Sequence, residues 1–181
     1  CLRQFSLERW LGLLFINFSD NPKPLADRLA GIDPYLQVFE PVRFTEGHRG
    51  EWESWQCNWK LAVENGIESY HLFKVHQNTL ETLAPTKKAY YVAGHAEWLV
   101  TGGEYADQPA KWQQWLMGKY PEAFNHYLLI CLPPSFVAIL SYDSLSWLQI
   151  LPDGPEGCRI TSGAIAETAQ GTTPINGPME E

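Results

Sequence analysis

Asn58-Trp59-Lys60-Leu61-Ala62-Val63-Glu64-Asn65-Gly66-Ile67-Glu68-Ser69-Tyr70-His71-Leu72-Phe73-Lys74-Val75-His76 is the stretch on which the reading of this chain turns. Asn58 suits an N-cap, because its side-chain oxygen can accept from an early helical amide, and Leu61, Glu64, Glu68 and Leu72 follow at intervals of three or four. This spacing predicts a helix. Two imidazoles with carboxylates nearby are the donor set of a facial two-histidine, one-carboxylate site, which leaves coordination positions open on Fe(II). At about 100° per residue, His71 and His76 stand roughly 140° apart on a regular helix. They can share one metal only if a helix end or π-bulge intervenes, and that irregularity is expected near Phe73 to Val75. Glu68, three residues before His71, falls on the same helical face. From there it can accept the ring N–H of His71 and fix the tautomer that leaves the other nitrogen free. Glu64, one turn earlier, either continues this row or faces water.

Upstream of this stretch, Leu7 to Phe18 is a nearly continuous apolar run, which predicts a strand buried on both faces. Asn21-Pro22-Lys23-Pro24 ends it. Leu25 to Tyr35 carries helical spacing up to Asp33-Pro34, which is expected to break it. Val38 to Trp55 reads as one or two antiparallel strands with Gly47-His48-Arg49-Gly50 as the turn. Tyr90 to Thr101 reads as a strand closed by Gly102-Gly103, and Pro109 to Tyr127 as a helix interrupted near Pro121. Four strands are then expected at Leu128 to Leu132, Phe136 to Tyr142, Leu145 to Leu151 and Arg159 to Ala166. Strands with helices in separate blocks define an α+β class in which helices pack on an antiparallel sheet. The tail from Ala169 to Glu181 has no apolar periodicity and is expected to be loose.

The 181 residues, 45% of them hydrophobic, are enough for one sizeable core. A net charge of −8 with no Lys/Arg cluster beyond Lys87-Lys88 excludes a phosphate backbone as partner. The longest apolar stretch, Leu11 to Phe18, is far shorter than the ~20 residues of a membrane-spanning helix. Cysteines at 1, 57, 131 and 158 form no C-x-x-C pair and read as buried or free thiols, which predicts a soluble protein of the reducing cytoplasm. Cys57 has no base in its sequence neighbourhood and reads as a core thiol. His48, His95 and His126 read as structural or exposed, and Trp112 and Trp115 as packing residues rather than a cage for a cation.

An H-x4-H pair alone is commonly solvent-facing, and the accompanying residues change its weight. Asn58-Trp59-Lys60, Glu64-Asn65, Glu68, Tyr70-His71 and His76 resemble, in order, the motif of Rieske non-haem iron oxygenases, the ring-hydroxylating alpha subunit superfamily. The form is similar to that of the branch that oxidises quaternary amines such as carnitine, choline and glycine betaine. Trp10 to Asn17 also resembles the strand that opens the catalytic domain in this family. The resemblance implies a helix-grip (Bet v 1-like) α+β fold, an antiparallel sheet curved around a long helix, with iron and substrate between them. It implies His71 and His76 as ligands of a mononuclear Fe(II), and Glu68 as the carboxylate bridging towards a [2Fe-2S] Rieske cluster of a neighbouring subunit. Electrons would come from NAD(P)H through a separate reductase or ferredoxin. Dioxygen and a small organic molecule, an aromatic ring or a quaternary amine, would be the substrates. The assembly would be a homo-oligomer, a trimer by resemblance.

Two departures qualify the match. The family's Cys-x-His and Cys-x-x-His pairs are missing from the sequence, so the Rieske domain is expected to lie outside this chain. The third ligand, an Asp on a C-terminal helix far downstream of the second His, has no match at Asp107, Asp143 or Asp153. The chain is therefore expected to be one partial catalytic domain, residues 1–181, cut short at the C-terminus and inactive alone. Two other readings stay open: a non-catalytic helix-grip module that binds a ligand, and a zinc hydrolase with Glu68 as general base, whose usual histidine spacing is absent.

Overall fold

The computed structural model describes residues 3–106 and 121–167. Its centre is an eight-stranded, fully antiparallel sheet built from β3 (Glu46–Arg49), β4 (Glu53–Trp55), β5 (Ala89–His95), β6 (Trp98–Glu104), β7 (His126–Leu132), β8 (Phe136–Leu140), β9 (Ser144–Pro152) and β10 (Cys158–Ala166). The strand order is β3-β10-β9-β8-β7-β6-β5, and β4 pairs with β10 beside β3. From β5 onward, neighbours in sequence are neighbours in space, and β7 and β8 are joined by a short turn at Pro133-Pro134.

Period-two alternation divides the buried side chains between the two faces of this sheet. On one face Val100, Leu128, Ile130, Leu132, Ala138, Leu140, Leu145 and Ile165 join Leu29, Ile32, Leu36 and Phe39 in the larger core. Leu29 and Ile32 cap the single-turn helices α1 (Leu25–Arg28) and α2 (Asp33–Leu36) where they face each other, Leu36 ends α2, and Phe39 belongs to the 3-10 turn that follows. On the other face Cys131, Val137, Ile150, Cys158 and Ile160 pack around Val63 of α3 (Trp59–Ile67). Strand β7 contributes to both cores and is buried from Tyr127 to Leu132. Burial of a side chain such as Ile130 contributes about 1.5–3 kcal/mol.

The four C-terminal strands occur where the sequence places them. Elsewhere the structure departs from the expected pattern. Leu7 to Phe18 is not one doubly buried strand but a separate hairpin, β1 (Ser6–Trp10) and β2 (Leu13–Asn17). The chain reverses at Leu11 and Gly12, whose φ angles of 48° and 79° suit the two-residue turn that matches strand twist. Only the Trp10, Leu13 and Phe15 side packs on the larger core. Leu7, Leu14 and Ile16 point away, more than half exposed. Asp33-Pro34 opens α2 rather than ending a longer helix, since proline is compatible with a first helical turn. Gly47-His48-Arg49 is strand β3, not a turn, and β3 and β4 each pair with β10 instead of with one another. Tyr90 to Thr101 spans two strands, with Gly102-Gly103 inside β6.

The helix expected over Pro109 to Tyr127 falls mainly outside the described residues, as do Asp107, Trp112, Trp115 and the tail. Its described part is α6 (Pro121–Asn125), after which His126 and Tyr127 begin β7. Among the described residues α3 is the longest helix, and no helix is long and apolar enough to cross a membrane.

Candidate metal centre

Asn58 starts α3 as expected: its Oδ1 accepts from Lys60 N at 3.0 Å, and its Nδ2 donates to Pro155 O at 2.7 Å, tying the cap to the β9–β10 turn. Val63 and the partly buried Trp59, Ala62 and Ile67 face the sheet. Glu64 is exposed and faces water, which settles its two possible roles. The helix stops at Ile67, and Glu68 is extended at φ −119°, ψ 150°.

The long helix therefore breaks at Glu68 to Tyr70, ahead of both histidines, and a second helix end falls at Val75, within the expected stretch, where His76 leaves helical geometry at φ −112°, ψ 30°. Side-chain capping accounts for the first break. The Glu68 carboxylate accepts from the amides of Tyr70 and His71, offering them a local partner in place of helical carbonyls. Thr101 of β6 donates its hydroxyl to Ile67 O at 3.1 Å and satisfies that helix terminus from the sheet. His71 then sits at the N-terminus of α4 (Leu72–Val75) and His76 at its C-terminus.

Glu68 Oε1 also contacts His71 Nδ1. The contact expected from helical spacing exists, but it is made from an extended residue through a tight turn. With Nδ1–H donated to the carboxylate, Nε2 of His71 keeps its lone pair. The His71 and His76 rings meet edge to face with centroids 5.3 Å apart. An ion bonded at about 2.1 Å to each of two imidazoles holds their centres roughly 5 Å apart, so this separation is compatible with one shared ion. An imidazole pair, one ring oriented by a carboxylate, fits Fe(II) as two of its ligands. A third is not at hand: among the described residues no group of three His, Cys, Asp or Glu side chains could hold a metal. Asp143 lies in the β8–β9 turn, where its Oδ1 accepts from the Ser144 hydroxyl, and Asp153 lies beyond β9.

The remaining histidines are placed elsewhere. His48 lies on β3, His95 stacks on Trp98, and His126 Nδ1 lies 3.1 Å from the Tyr90 hydroxyl. Cys57 is half-buried, with its Sγ 3.7 Å from Cys158 Sγ, and both thiols are free.

Thr86, Glu81 and Thr101 are contributors that the sequence reading missed. Thr86 and Thr101 reach the segment carrying the site across 17 and 34 residues, and no short motif announces such a contact.

The fold and this site define an antiparallel α+β domain with a carboxylate-oriented histidine pair, and comparison with known proteins places it. Residues 43–176 match the ring hydroxylating alpha subunit (catalytic domain), so the chain belongs to that family. The glycine betaine monooxygenase oxygenase subunit of Chromohalobacter salexigens is 35% identical over 72 residues, 40% of this chain and 16% of that protein. Its counterpart in Pseudomonas aeruginosa is 31% identical over the same length, covering 17% of that protein. Among solved structures, the quaternary ammonium Rieske monooxygenase CntA in complex with an inhibitor superposes with a TM-score of 0.71 at 16% identity, over 93% of this chain and 43% of that one. A naphthalene 1,2-dioxygenase variant bound to phenanthrene gives 0.68 at 15% identity, over 92% and 44%. The chain thus spans less than half the length of these oxygenases.

Proposed function

We propose that this chain is the substrate-oxidising part of a Rieske-type oxygenase that hydroxylates a small organic molecule, with His71 and His76 as two protein ligands of a mononuclear Fe(II). The single observation that carries this reading is the Glu68–His71–His76 constellation: a carboxylate on one imidazole nitrogen and a second ring 5.3 Å away. Bound iron supplies the redox chemistry that activates dioxygen. The protein's part is orientation. Glu68 holds the Nδ1 proton of His71, fixes the ring's rotation and leaves Nε2 available. The one-turn helix α4 carries His71 at its start and His76 at its end, where the chain leaves helical geometry, with the two rings in edge-to-face contact.

A quaternary amine is the favoured substrate class, because the relatives above 30% identity are glycine betaine monooxygenase subunits. An aromatic ring is the second class, since naphthalene dioxygenase shares the fold. Glu68 doubles as the bridge towards a [2Fe-2S] cluster on a Rieske domain outside residues 1–181, fed by NAD(P)H through a reductase or ferredoxin. The working assembly is a cytoplasmic homo-oligomer, a trimer, with the third iron ligand supplied from outside the described residues.

Anaerobic titration of the metal-free chain with Fe(II) and Co(II) tests the reading. Saturable binding that His71→Ala and His76→Ala each weaken at least roughly ten-fold is expected. Exclusive retention of zinc would favour the hydrolase. Absence of any binding, with an apolar ligand taken up instead, would favour the non-catalytic module.

A further inference from the structure

We infer that Thr86 and Glu81 are positioning residues for the histidine pair, forming a polar clamp that fixes the backbone at both ends of the ligand-bearing segment. The inference rests on the two-histidine reading and deepens it. The Ser69 carbonyl, between Glu68 and His71, accepts from Leu72 N at 3.1 Å and lies 2.9 Å from Thr86 Oγ1. Thr86 Oγ1 also lies 2.7 Å from Glu81 Oε2, so its one proton is shared between two acceptors, and Thr86 N donates to the same carboxylate oxygen at 2.9 Å. Glu81 closes the circuit, because its own amide donates to His76 O at 3.1 Å, beside the Thr79 amide at 3.0 Å. Ser69, Thr86, Glu81 and His76 therefore form a ring of polar contacts around the segment on which both imidazoles ride.

The short helices offer little else to hold this geometry. The helix α4 and its neighbour α5 (Leu80–Leu83) are one turn each, and of the residues from Ser69 to Leu83 only Leu72 is fully buried. A single turn is not stable by itself, because too few hydrogen bonds form for the dihedrals fixed. The clamp ties this segment to the 3-10 turn Thr86–Lys88, which leads directly into β5 of the main sheet. Glu81 acts through these contacts rather than as a ligand, since among the described residues it forms no metal-holding group of three with His71 and His76.

The test is Co(II) titration of the metal-free, full 181-residue chain, read by the visible d–d spectrum, with urea unfolding of each metal-free variant alongside. Thr86→Val removes the shared proton at nearly constant volume, and Glu81→Ala removes the carboxylate. Each is expected to weaken Co(II) binding roughly 10-fold and to alter the d–d band shape. Thr86→Ser, which keeps the hydroxyl, is expected to restore both affinity and band shape, a rescue that a loss of general packing would not give. Wild-type binding that depends on His71 but is matched in affinity and spectrum by Thr86→Val and Glu81→Ala would overturn the clamp and leave the two-histidine reading standing. No binding by the wild type would overturn that reading and the clamp with it. Should Thr86→Val fail to fold, the comparison of Glu81→Ala with Glu81→Gln decides in the same way, since the amide retains an acceptor for Thr86.

Discussion

Glu68 reaches His71 although the backbone between them is not helical. The three-residue spacing made the pair legible in the sequence, but the carboxylate that touches the ring also caps the Tyr70 and His71 amides, and that second use ends the helix. Periodicity cannot reveal such a competition, so the end of α3 at Ile67 is not legible in the spacing, whereas the helix end at Val75 is. Glu68→Gln keeps an acceptor without the charge and is expected to weaken Co(II) binding roughly 10-fold, and Glu68→Ala to approach about 100-fold. Equal affinity across wild type and both variants in an anaerobic titration would show that the contact does not orient the ring. Cys131 carries a second prediction at this scale. Burial pushes its thiol up to about 11. In the unfolded chain it returns to the ordinary thiol range, so above about pH 9 the unfolded state sheds this proton first and stability falls until about pH 11. Urea unfolding at pH 7, 9 and 11 should show a smaller decline in Cys131→Ala, by about 2 kcal/mol at most.

Elements were legible in proportion to how local their causes are. Strands β7 to β10 announce themselves through β-branched and aromatic runs between turn residues, and the start of α3 through Asn58. Gly102-Gly103 looked like punctuation because the reason for glycine there is a neighbouring strand: a Cβ on Gly102 would lie 2.8 Å from Tyr127 O, and one on Gly103 would strike the Tyr127 ring. Likewise β3 and β4 have no partner close in sequence, since both pair with β10, more than 100 residues on. Gly103→Ala is expected to destabilise the chain by about 1–3 kcal/mol through forced displacement of Tyr127. A shift in the urea midpoint measures it, and an unchanged midpoint would mean that β6 and β7 have room to part.

For the whole molecule, the α+β class and the antiparallel sheet followed from the succession of elements, while the division into two cores did not, because it depends on which side of each strand meets which helix. The β1–β2 hairpin shows the difference. Its apolar run is real, yet one side leaves Leu7, Leu14, Ile16 and Phe18 more than half exposed, next to Phe5 at 45%. A contiguous apolar patch of this kind binds hydrophobic dyes and lowers solubility. The double variant Leu14→Glu, Ile16→Lys is expected to suppress dye binding while leaving the unfolding free energy within about 0.5 kcal/mol. Unchanged dye fluorescence would place the sticky surface elsewhere.

The two imidazoles are carried on single turns that hang from the sheet by a few hydroxyl contacts, whereas β7 to β10 are zipped on both edges. Solvent should therefore reach the amides between Ser69 and Leu83 through brief local openings, long before the strands release theirs. Deuterium uptake would then report ion loading as slowed exchange in that stretch alone. Warming or chelation would empty the centre while the rest of the domain stays intact, so loss of the ion and loss of the fold would be separate events on a melting curve.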